Sequence, residues 1–504
     1  MSASLTERYR DHLAGVLSCY DRILISGTIP EACYAEGMTR FLNARGIRIF
    51  DYPKFALELR DQVRMRAEQL AAASGVSIQH VGKAHVRKED IIAERVKQRG
   101  DHPGLVHILS AMESCRSYQP WHDKRTHRTF VRPDTGKCLH YYFYFIDEVL
   151  GLIHLRVPTW CPFPIQAYCN GHSWLARKLS AAGIAYTLAD NALVRVDDMA
   201  RAQTLADTLA PADLHRVLDR YAELCCPVLG VFDQRYHWSL MQVEYATDLI
   251  FRSPATLSAL YEPLLRRAIL AVKAEHVASF LGKKITPTLA QEIGSRFTTR
   301  IEGTCLKHRL GKAAVKVYDK FAVVLRLETT TNDVTFFKLY RKVEHHKAPA
   351  TQQWAAVKKT IYSLRDLNSI LLDCNRRYLE YLSALDDISP GLKTLNRLNE
   401  PKQLPDRKIK GFNFFDRNEQ ALLRAIQRPE FNIAGLRRAD LLRLLPHFSP
   451  SAISRQLRRL RHFRLLKRAS QTYHYYPTRL GRRVIAAACQ LADLFLIPTL
   501  AAQL

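Results

Sequence analysis

The pattern of apolar and polar positions divides the chain into a mixed α/β body and a separate C-terminal segment. Residues 139–157 form two aromatic and β-branched runs on either side of residues 147–151, which predicts a β-hairpin. Residues 22–29 predict another strand. Apolar residues at three- and four-residue spacing predict helices at residues 38–45, 55–73 and 87–98.

A second β-rich region and a long amphipathic helix complete the body. Residues 296–331 predict three strands. Residues 352–385 predict one long helix, because apolar side chains from Trp354 to Leu385 recur at helical spacing. Residues 239–251 and 258–274 also read as helices.

The C-terminal segment predicts two helices followed by a hairpin. Residues 436–445 form the first helix, and Ser449 and Pro450 have the residue types that begin the second. That second helix directs Ile453, Leu457 and Leu460 inward. Its other face is predicted to carry Ser454, Arg455, Arg458, Arg459 and Arg461. Residues 465–477 then read as an apolar strand, a polar turn and an aromatic strand.

The positive charge of the C-terminal segment predicts what it binds. The chain has a formal net charge of +27, and residues 436–483 contain thirteen Lys and Arg but one acid, Asp440. Lys and Arg bind nucleic acids by neutralising phosphates, so we expect a nucleic-acid partner. This segment contributes +12, thirteen minus one, which leaves +15 of the +27 for the rest of the chain and predicts a second basic surface upstream.

Cysteine usage and the chain ends indicate the compartment. The eleven cysteines include no CxxC pair, which favours reduced thiols over a zinc ribbon or a disulfide framework. The N-terminus lacks the apolar region of a secretory signal, so we expect a cytoplasmic protein. Residues 484–504 are largely apolar, but they contain Gln490, Asp493 and Pro498, which favours a packing or homodimerisation helix over a membrane span. No Walker loop, GxGxxG or HExxH occurs, and no organic cofactor is indicated.

The order helix, turn, basic helix, hairpin, long helix resembles the winged-helix regulators, including the MarR type. The resemblance implies that the exposed face of the second helix binds a DNA major groove. It also implies phosphate contacts by Lys467, Arg468 and Arg479. A winged helix that contacts only proteins is the alternative.

Residues 308–328, HRLGKAAVKVYDKFAVVLRLE, contain a candidate catalytic group. Strand alternation places Tyr318 and Lys320 on one face of their strand, and Arg326 and Glu328 on one face of the next, with His308 flanking them. The segment resembles replication-initiator nucleases of rolling-circle plasmids and filamentous phages. That resemblance implies that Glu328 is a metal ligand, with Mg²⁺ as the ion. The His-hydrophobe-His motif of that class does not occur here. The alternative is a sheet with cross-strand charge pairs.

A third group lies where a strand precedes a helix. His154, Arg156, Asn170 and His172 occur close to Trp160 and Trp174, and such residues suit base stacking and phosphate binding at a helix N-terminus. The alternative is a Trp-rich core in which Asn170 caps the helix.

We therefore predict an α+β multidomain protein with antiparallel sheets, a long helix and a C-terminal winged helix. The predicted boundaries are residues 1–135, 136–290, 291–398, a linker at 399–415, and the winged helix at 416–504. Through TWCPFPIQAYCNGHSWLARKL, VKVYDKFAVVLRLETT and its C-terminal segment, the chain resembles an uncharacterised bacterial family often labelled MarR-like.

The body is far larger than a MarR-type regulator needs. The sequence therefore favours a protein of a mobile genetic element that processes DNA, as an initiator-like or metal-dependent nuclease or nickase. One alternative is a non-enzymatic transcriptional regulator. Another is a protein that binds structured RNA, since exposed aromatic and basic residues suit RNA as well.

Overall fold

The structure is a computed structural model that describes residues 4–82, 86–284, 297–345, 349–405, 407–470 and 472–501. The fold is mixed α/β and divides into two compact units, Met1–Asp386 and Asp387–Leu504.

The first unit is built on one large sheet. Within the described residues this sheet has eleven strands in the order β10-β11-β12-β13-β9-β1-β6-β5-β4-β3-β2, and only the β2–β3 pair is parallel. Its strands are β1 Leu13–Thr28, β2 Ile78–His80, β3 Gly104–Asp123, β4 Arg128–Asp147, β5 Gly151–Pro158, β6 Ile165–Asn170, β9 His237–Phe251, β10 Phe297–Glu302, β11 Cys305–Leu310, β12 Ala313–Lys320 and β13 Val324–Thr331. Two hairpins stand apart from it, β7 Tyr186–Ala189 with β8 Ala192–Val196, and β14 Lys338–Val343 with β15 Thr351–Ala356.

Helices pack on both faces of this sheet. They are α1 Leu5–Arg8, α2 Ala35–Ala44, α3 Tyr52–Ala73, α4 Lys88–Arg99, α5 Gly171–Ala181, α6 Met199–Ala206, α7 Pro211–Cys225, α8 Leu229–Phe232, α9 Pro254–Ala271, α10 Ala274–Phe280 and α11 Leu364–Asp386. On one face, Asn375 of α11 donates to Tyr245 O at 3.0 Å and accepts from the Thr329 hydroxyl at 2.7 Å. Helix α5 and the β7–β8 hairpin lie against the opposite face, which carries the polar centre described below.

Two predicted helices are corrected. Residues 239–251 form the central strand β9, which pairs with β1 on one side and β13 on the other. With partners on both edges and both faces covered, a strand loses strict alternation, so its pattern resembles a buried helix. The predicted helix at 352–385 begins only at Leu364, because Thr351–Ala356 pairs with β14 and leaves Trp354 69% exposed.

The second unit contains the predicted succession of helices and a hairpin. Its elements are α12 Ser389–Asn399, β16 Lys402–Leu404, β17 Arg407–Ile409, α13 Arg417–Ile426, α14 Pro429–Ile433, α15 Arg438–Leu444, α16 Pro450–His462, β18 Leu466–Arg468, β19 Tyr475–Pro477, α17 Arg479–Gln490, a π-helix Leu491–Leu496 and α18 Ile497–Ala501. Ser449 caps α16 by accepting from Ala452 N at 3.2 Å, and Pro450 is its first residue.

The domain boundaries also differ from the prediction. One sheet takes strands from all three predicted body regions, because β1 inserts between β9 and β6. The boundary at 290/291 lies outside the described residues. The described part of the predicted linker is folded, since it forms β16 and β17 and buries Phe412 in the core of the second unit. That unit therefore begins near Asp387 instead of residue 416.

One helical stretch of the described chain, Arg479–Ala501, is long and apolar enough to cross a bilayer by length and composition. A single such stretch is weak evidence for a membrane span. Asp493 within it pairs with Arg424, and Ile485 and Cys489 enter the core of the unit, which favours a packing role. The eleven cysteines are free thiols.

Candidate functional site

A buried polar centre occupies the middle of the large sheet. Antiparallel register sets Tyr318 opposite Arg326, Arg326 opposite Asp248, and Lys316 opposite Glu328, so these side chains share a face. Asp21 joins them from β1, at an irregularity between Tyr20 and Ile23 where the pairing with β9 shifts. The six principal acidic and basic side chains are at most 8% exposed: Asp21, His172, Glu244, Asp248, Arg326 and Glu328.

Arg326 holds two carboxylates in this centre. Its Nε and Nη2 donate to the two carboxylate oxygens of Asp248, each at 2.7 Å. Nη1 lies 3.4 Å from Asp21 Oδ2, and Nη2 also donates to Asn191 O at 3.0 Å. Burial by itself raises the pKa of Asp248, but the charge of Arg326 outweighs it and lowers that pKa below its usual value. Arg326 therefore keeps these acids ionised inside the protein.

His172 bridges the same two acids. Its Nδ1 lies 3.2 Å from Asp21 Oδ1, and its Nε2 lies 3.3 Å from Asp248 Oδ2. Burial and the Arg326 charge lower the pKa of His172, but electrostatic interaction with Cys19 and hydrogen bonds to Asp21 and Asp248 outweigh them and raise it well above its ordinary value. Asn170 caps α5 by accepting from Ser173 N at 3.0 Å, which fixes this end of the helix against Asp21. The alternative interpretation of Asn170 as a cap is thus confirmed.

A second cluster adjoins the first. The Lys316 ammonium lies 2.5 Å from Glu328 and 3.3 Å from Glu244, and the Tyr318 hydroxyl donates to Glu328 at 2.7 Å. Burial and the negative charge of Glu328 raise the pKa of Glu244. Burial and the same carboxylate raise the pKa of Tyr318, so its phenolate is disfavoured. Tyr318 therefore acts here as a hydrogen-bond donor to Glu328, which weakens its assignment as a nucleophile.

Three carboxylates in this region suit a divalent cation. Asp21, Glu244 and Glu328 each offer an oxygen, and these oxygens lie within 4.8 Å of one another. Carboxylate oxygens are the protein ligands that Mg²⁺ prefers. The donor set therefore fits Mg²⁺, although an ion would compete with the Lys316 ammonium for Glu244 and Glu328.

His308 does not join the predicted catalytic group. It pairs with Val315, so it faces the side of the sheet covered by α11, one residue out of phase with Lys316. Its ring hydrogen-bonds to Thr299 at 2.9 Å and lies edge-on to Tyr378. Burial lowers the pKa of His308 to about 4. Lys320 lies on the predicted face, 3.5 Å from Asp190.

The predicted nucleic-acid contacts around β5 and α5 are largely engaged inside the body. Asn170 and His172 are buried, and both contact the Asp21 carboxylate. The His154 ring stacks on Tyr168 with centroids 5.0 Å apart, and burial lowers its pKa to about 3. Arg156 pairs with Glu113 at 2.6 Å. These four residues are therefore structural in the described fold.

Sequence reasoning missed Asp21, Glu244, Asp248 and Lys316. Asp21 and Arg22 interrupt the apolar sequence of β1, and Glu244 and Asp248 interrupt the apolar sequence of β9. Charges inside apolar strands were the available signal, since buried ions require partners.

The second unit has a basic groove between α15, α16 and the β18–β19 hairpin. The groove encloses about 640 Å³. It is lined by Arg437, Arg438, Ala439, Ser454, Leu457, Arg458, Arg461, Arg468, Tyr473 and Tyr475. None of these lining residues, within the part of the chain described, is acidic. Nearby Asp440 is engaged locally by Arg437 N and by Arg443.

The predicted contacts of α16 and the hairpin are exposed, with one correction. Arg455, Arg458 and Arg461 lie on the surface of α16, and Ser454 is half-buried. Arg459 is buried instead: its guanidinium lies 4.0 Å from the centre of the Phe412 ring and pairs with Glu419 at 2.9 Å. The folded segment before α13 covers this side of the helix. The hairpin and helix residues Lys467, Arg468 and Arg479 are exposed.

Comparison with protein-family models, with curated proteins and with solved structures gave no match. The winged-helix and replication-initiator resemblances therefore remain predictions that rest on the residues named above.

Proposed function

We propose that this protein binds nucleic acid, and that it locates a DNA site with its second unit acting as a winged helix. The groove of five arginines and two tyrosines is the observation that carries the proposal. A concave surface of arginine without acids attracts a polyanion, and arginine also recognises guanine edges in a major groove.

The proposed role of each element follows from its position in the second unit. Helix α16 is the element that enters the major groove of the DNA, with Arg455, Arg458 and Arg461 facing the bases and the backbone. The β18–β19 hairpin is the wing, whose Lys467 and Arg468 contact phosphates. Arg479, at the start of α17, adds a further phosphate contact.

The test is duplex binding by the full chain over a range of salt concentrations. Replacing Arg458 and Arg461 by Ala removes two cations and is expected to reduce the slope of log affinity against log salt by about 2. The matched control replaces Arg417 and Arg428, which are exposed in the same unit outside the groove. Equal slopes for both variants would contradict the assignment of the groove.

For the body we propose metal-dependent DNA processing, of the kind found in nucleases and nickases of mobile elements. Asp21, Glu244 and Glu328 would hold Mg²⁺, which supplies charge neutralisation and an activated water at a phosphodiester. Tyr318 orients Glu328 through its hydroxyl, and Lys316 provides a cation beside the acids. Arg326 and His172 fix the ionised state of Asp21.

This activity is tested with single-stranded DNA, duplex DNA and structured RNA, in Mg²⁺ and in Mn²⁺. We expect DNA cleavage that Glu328→Gln abolishes while duplex binding persists. If every substrate remains intact in all conditions, the nuclease proposal is rejected and the non-enzymatic regulator is the favoured function. Tighter binding to structured RNA than to duplex DNA would favour the RNA-binding alternative.

A further inference from the structure

The paired strands β3 and β4 extend beyond the rest of the large sheet. Within the described residues, β5 pairs with β4 only as far as His140, and β2 pairs with β3 only over Ile108–Ser110. From Met112 opposite Leu139 to Asp123 opposite Arg128, the two strands therefore form a ribbon without a third strand. Twelve rungs at about 3.4 Å each give this ribbon a length of about 40 Å.

The base of the ribbon is anchored and its end is not. The Tyr118 hydroxyl donates to Ala32 O at 2.6 Å, and Val131 N donates to Thr39 at 3.1 Å. Beyond these contacts lie residues 121–130, the ribbon tip, whose turn is closed by Asp123 accepting from Arg125 N at 2.9 Å. Most side chains of the tip are exposed, so its shape is set by its own strand pairing.

The ribbon tip is basic and aromatic. Lys124, Arg125 and Arg128 are exposed, and none of them forms an ion pair with another described residue. Trp121 is 42% exposed, and the Arg132 guanidinium lies 3.9 Å from the centre of its ring. Unpaired surface cations on a ribbon that extends beyond the rest of the sheet are placed for a polyanion.

We propose that the ribbon tip is a second DNA-binding element that enters the major groove of a B-form duplex. This inference rests on the proposed function, because it assumes that DNA is the partner. The major groove is about 12 Å wide and 8.5 Å deep, and it admits a two-stranded ribbon. Three rungs give the tip a length of about 10 Å, enough to reach the groove floor. The deep and narrow major groove of duplex RNA does not admit such a ribbon, which favours duplex DNA over duplex RNA as the ligand.

The experiment measures duplex affinity of the full chain against salt for three proteins. The tip variant is Lys124→Ala/Arg125→Ala/Arg128→Ala. The control, Arg216→Ala/Arg266→Ala/Arg376→Ala, removes the same charge from exposed helical positions, where each arginine pairs with an acid three or four residues away. Circular dichroism verifies that each variant is folded.

The tip variant is expected to reduce the salt slope by about 2.7, at about 0.9 for each cation. Between about 50 mM and about 200 mM salt, the wild type then loses about 40-fold more affinity than the tip variant. The control keeps the wild-type slope. Dimethyl sulfate protection of guanine N7 in the major groove should include positions that only the tip variant loses.

Two results would overturn the inference in distinguishable ways. If the wild type binds duplex DNA and the tip and control variants have equal slopes, the ribbon tip is not a DNA contact, and the proposed function stands. If the wild type binds no duplex DNA, both proposals fail.

Discussion

Arg326 and Asp248 form a bidentate ion pair in the middle of the sheet, with two hydrogen bonds of 2.7 Å. Both side chains are at most 1% exposed, and Asp21 and His172 complete the same network. Water cannot replace a missing partner at this depth. Each ion here therefore depends on the others, which makes the network sensitive to single substitutions.

Arg326→Met is expected to lower the free energy of unfolding of the first unit by about 3–5 kcal/mol, because it leaves Asp248 buried without its partner. Urea denaturation followed by tryptophan fluorescence measures the change. The double variant Arg326→Met/Asp248→Leu should lose less than the single variant, since it leaves no unpaired Asp248 charge. If the double variant loses as much stability as Arg326→Met and Asp248→Leu lose together, the two residues are not energetically coupled.

The raised pKa of His172 predicts how stability depends on pH. Its folded pKa is raised, whereas in the unfolded chain His titrates near pH 6.5. The folded state therefore binds more protons above about pH 6.5, and the contribution of His172 is complete below that pH and declines as the pH rises toward the folded pKa. We expect a lower urea midpoint at about pH 8 than at about pH 6, and a flatter profile in His172→Asn. An unchanged profile in the variant would assign the dependence to other groups.

The Asp21 and Asp248 carboxylates affect the stability of the protein at acidic pH. Their folded pKa values are lowered, because Arg326 and His172 outweigh burial. Their contribution is present above the unfolded value of about 3.9 and is lost as the pH falls toward the folded values. Acid unfolding in Arg326→Met should therefore begin at a higher pH than in the wild type.

Alternation within single strands was predictable, whereas pairing between distant strands was not. The faces of Tyr318 and Lys320, and of Arg326 and Glu328, follow from two-residue periodicity. Asp21 and Glu244 reach Glu328 only through the order of the large sheet and the shifted register of β1. Nothing local encodes which strands become neighbours, so neither acid could be assigned to the centre. His308 shows the same limit, because one residue of register moves it to the opposite face.

Lys316→Met tests whether the carboxylates bind a divalent ion. The substitution removes the ammonium that competes for Glu244 and Glu328, so Mn²⁺ affinity should rise above that of the wild type. At an ion concentration about a hundred times the dissociation constant, binding adds about 2.7 kcal/mol to stability, visible as a higher melting temperature. Adding Glu328→Gln to this variant should remove the effect. Equal melting temperatures with Mn²⁺ and with chelator would reject the metal site.

Arg458 and Arg459 are adjacent in sequence but are expected to have separable roles. Helical periodicity alone assigned both to the DNA-facing surface, because burial of Arg459 depends on Phe412 and Glu419 from another segment. Arg459→Ala leaves Glu419 without its buried partner, so the second unit should lose about 3 kcal/mol of stability. Arg458→Ala should change stability by less than about 0.5 kcal/mol, yet reduce the salt slope of duplex binding by about 1. Thermal unfolding and duplex titration of both variants separate these effects, and an Arg458→Ala protein with wild-type binding would remove α16 from the DNA interface.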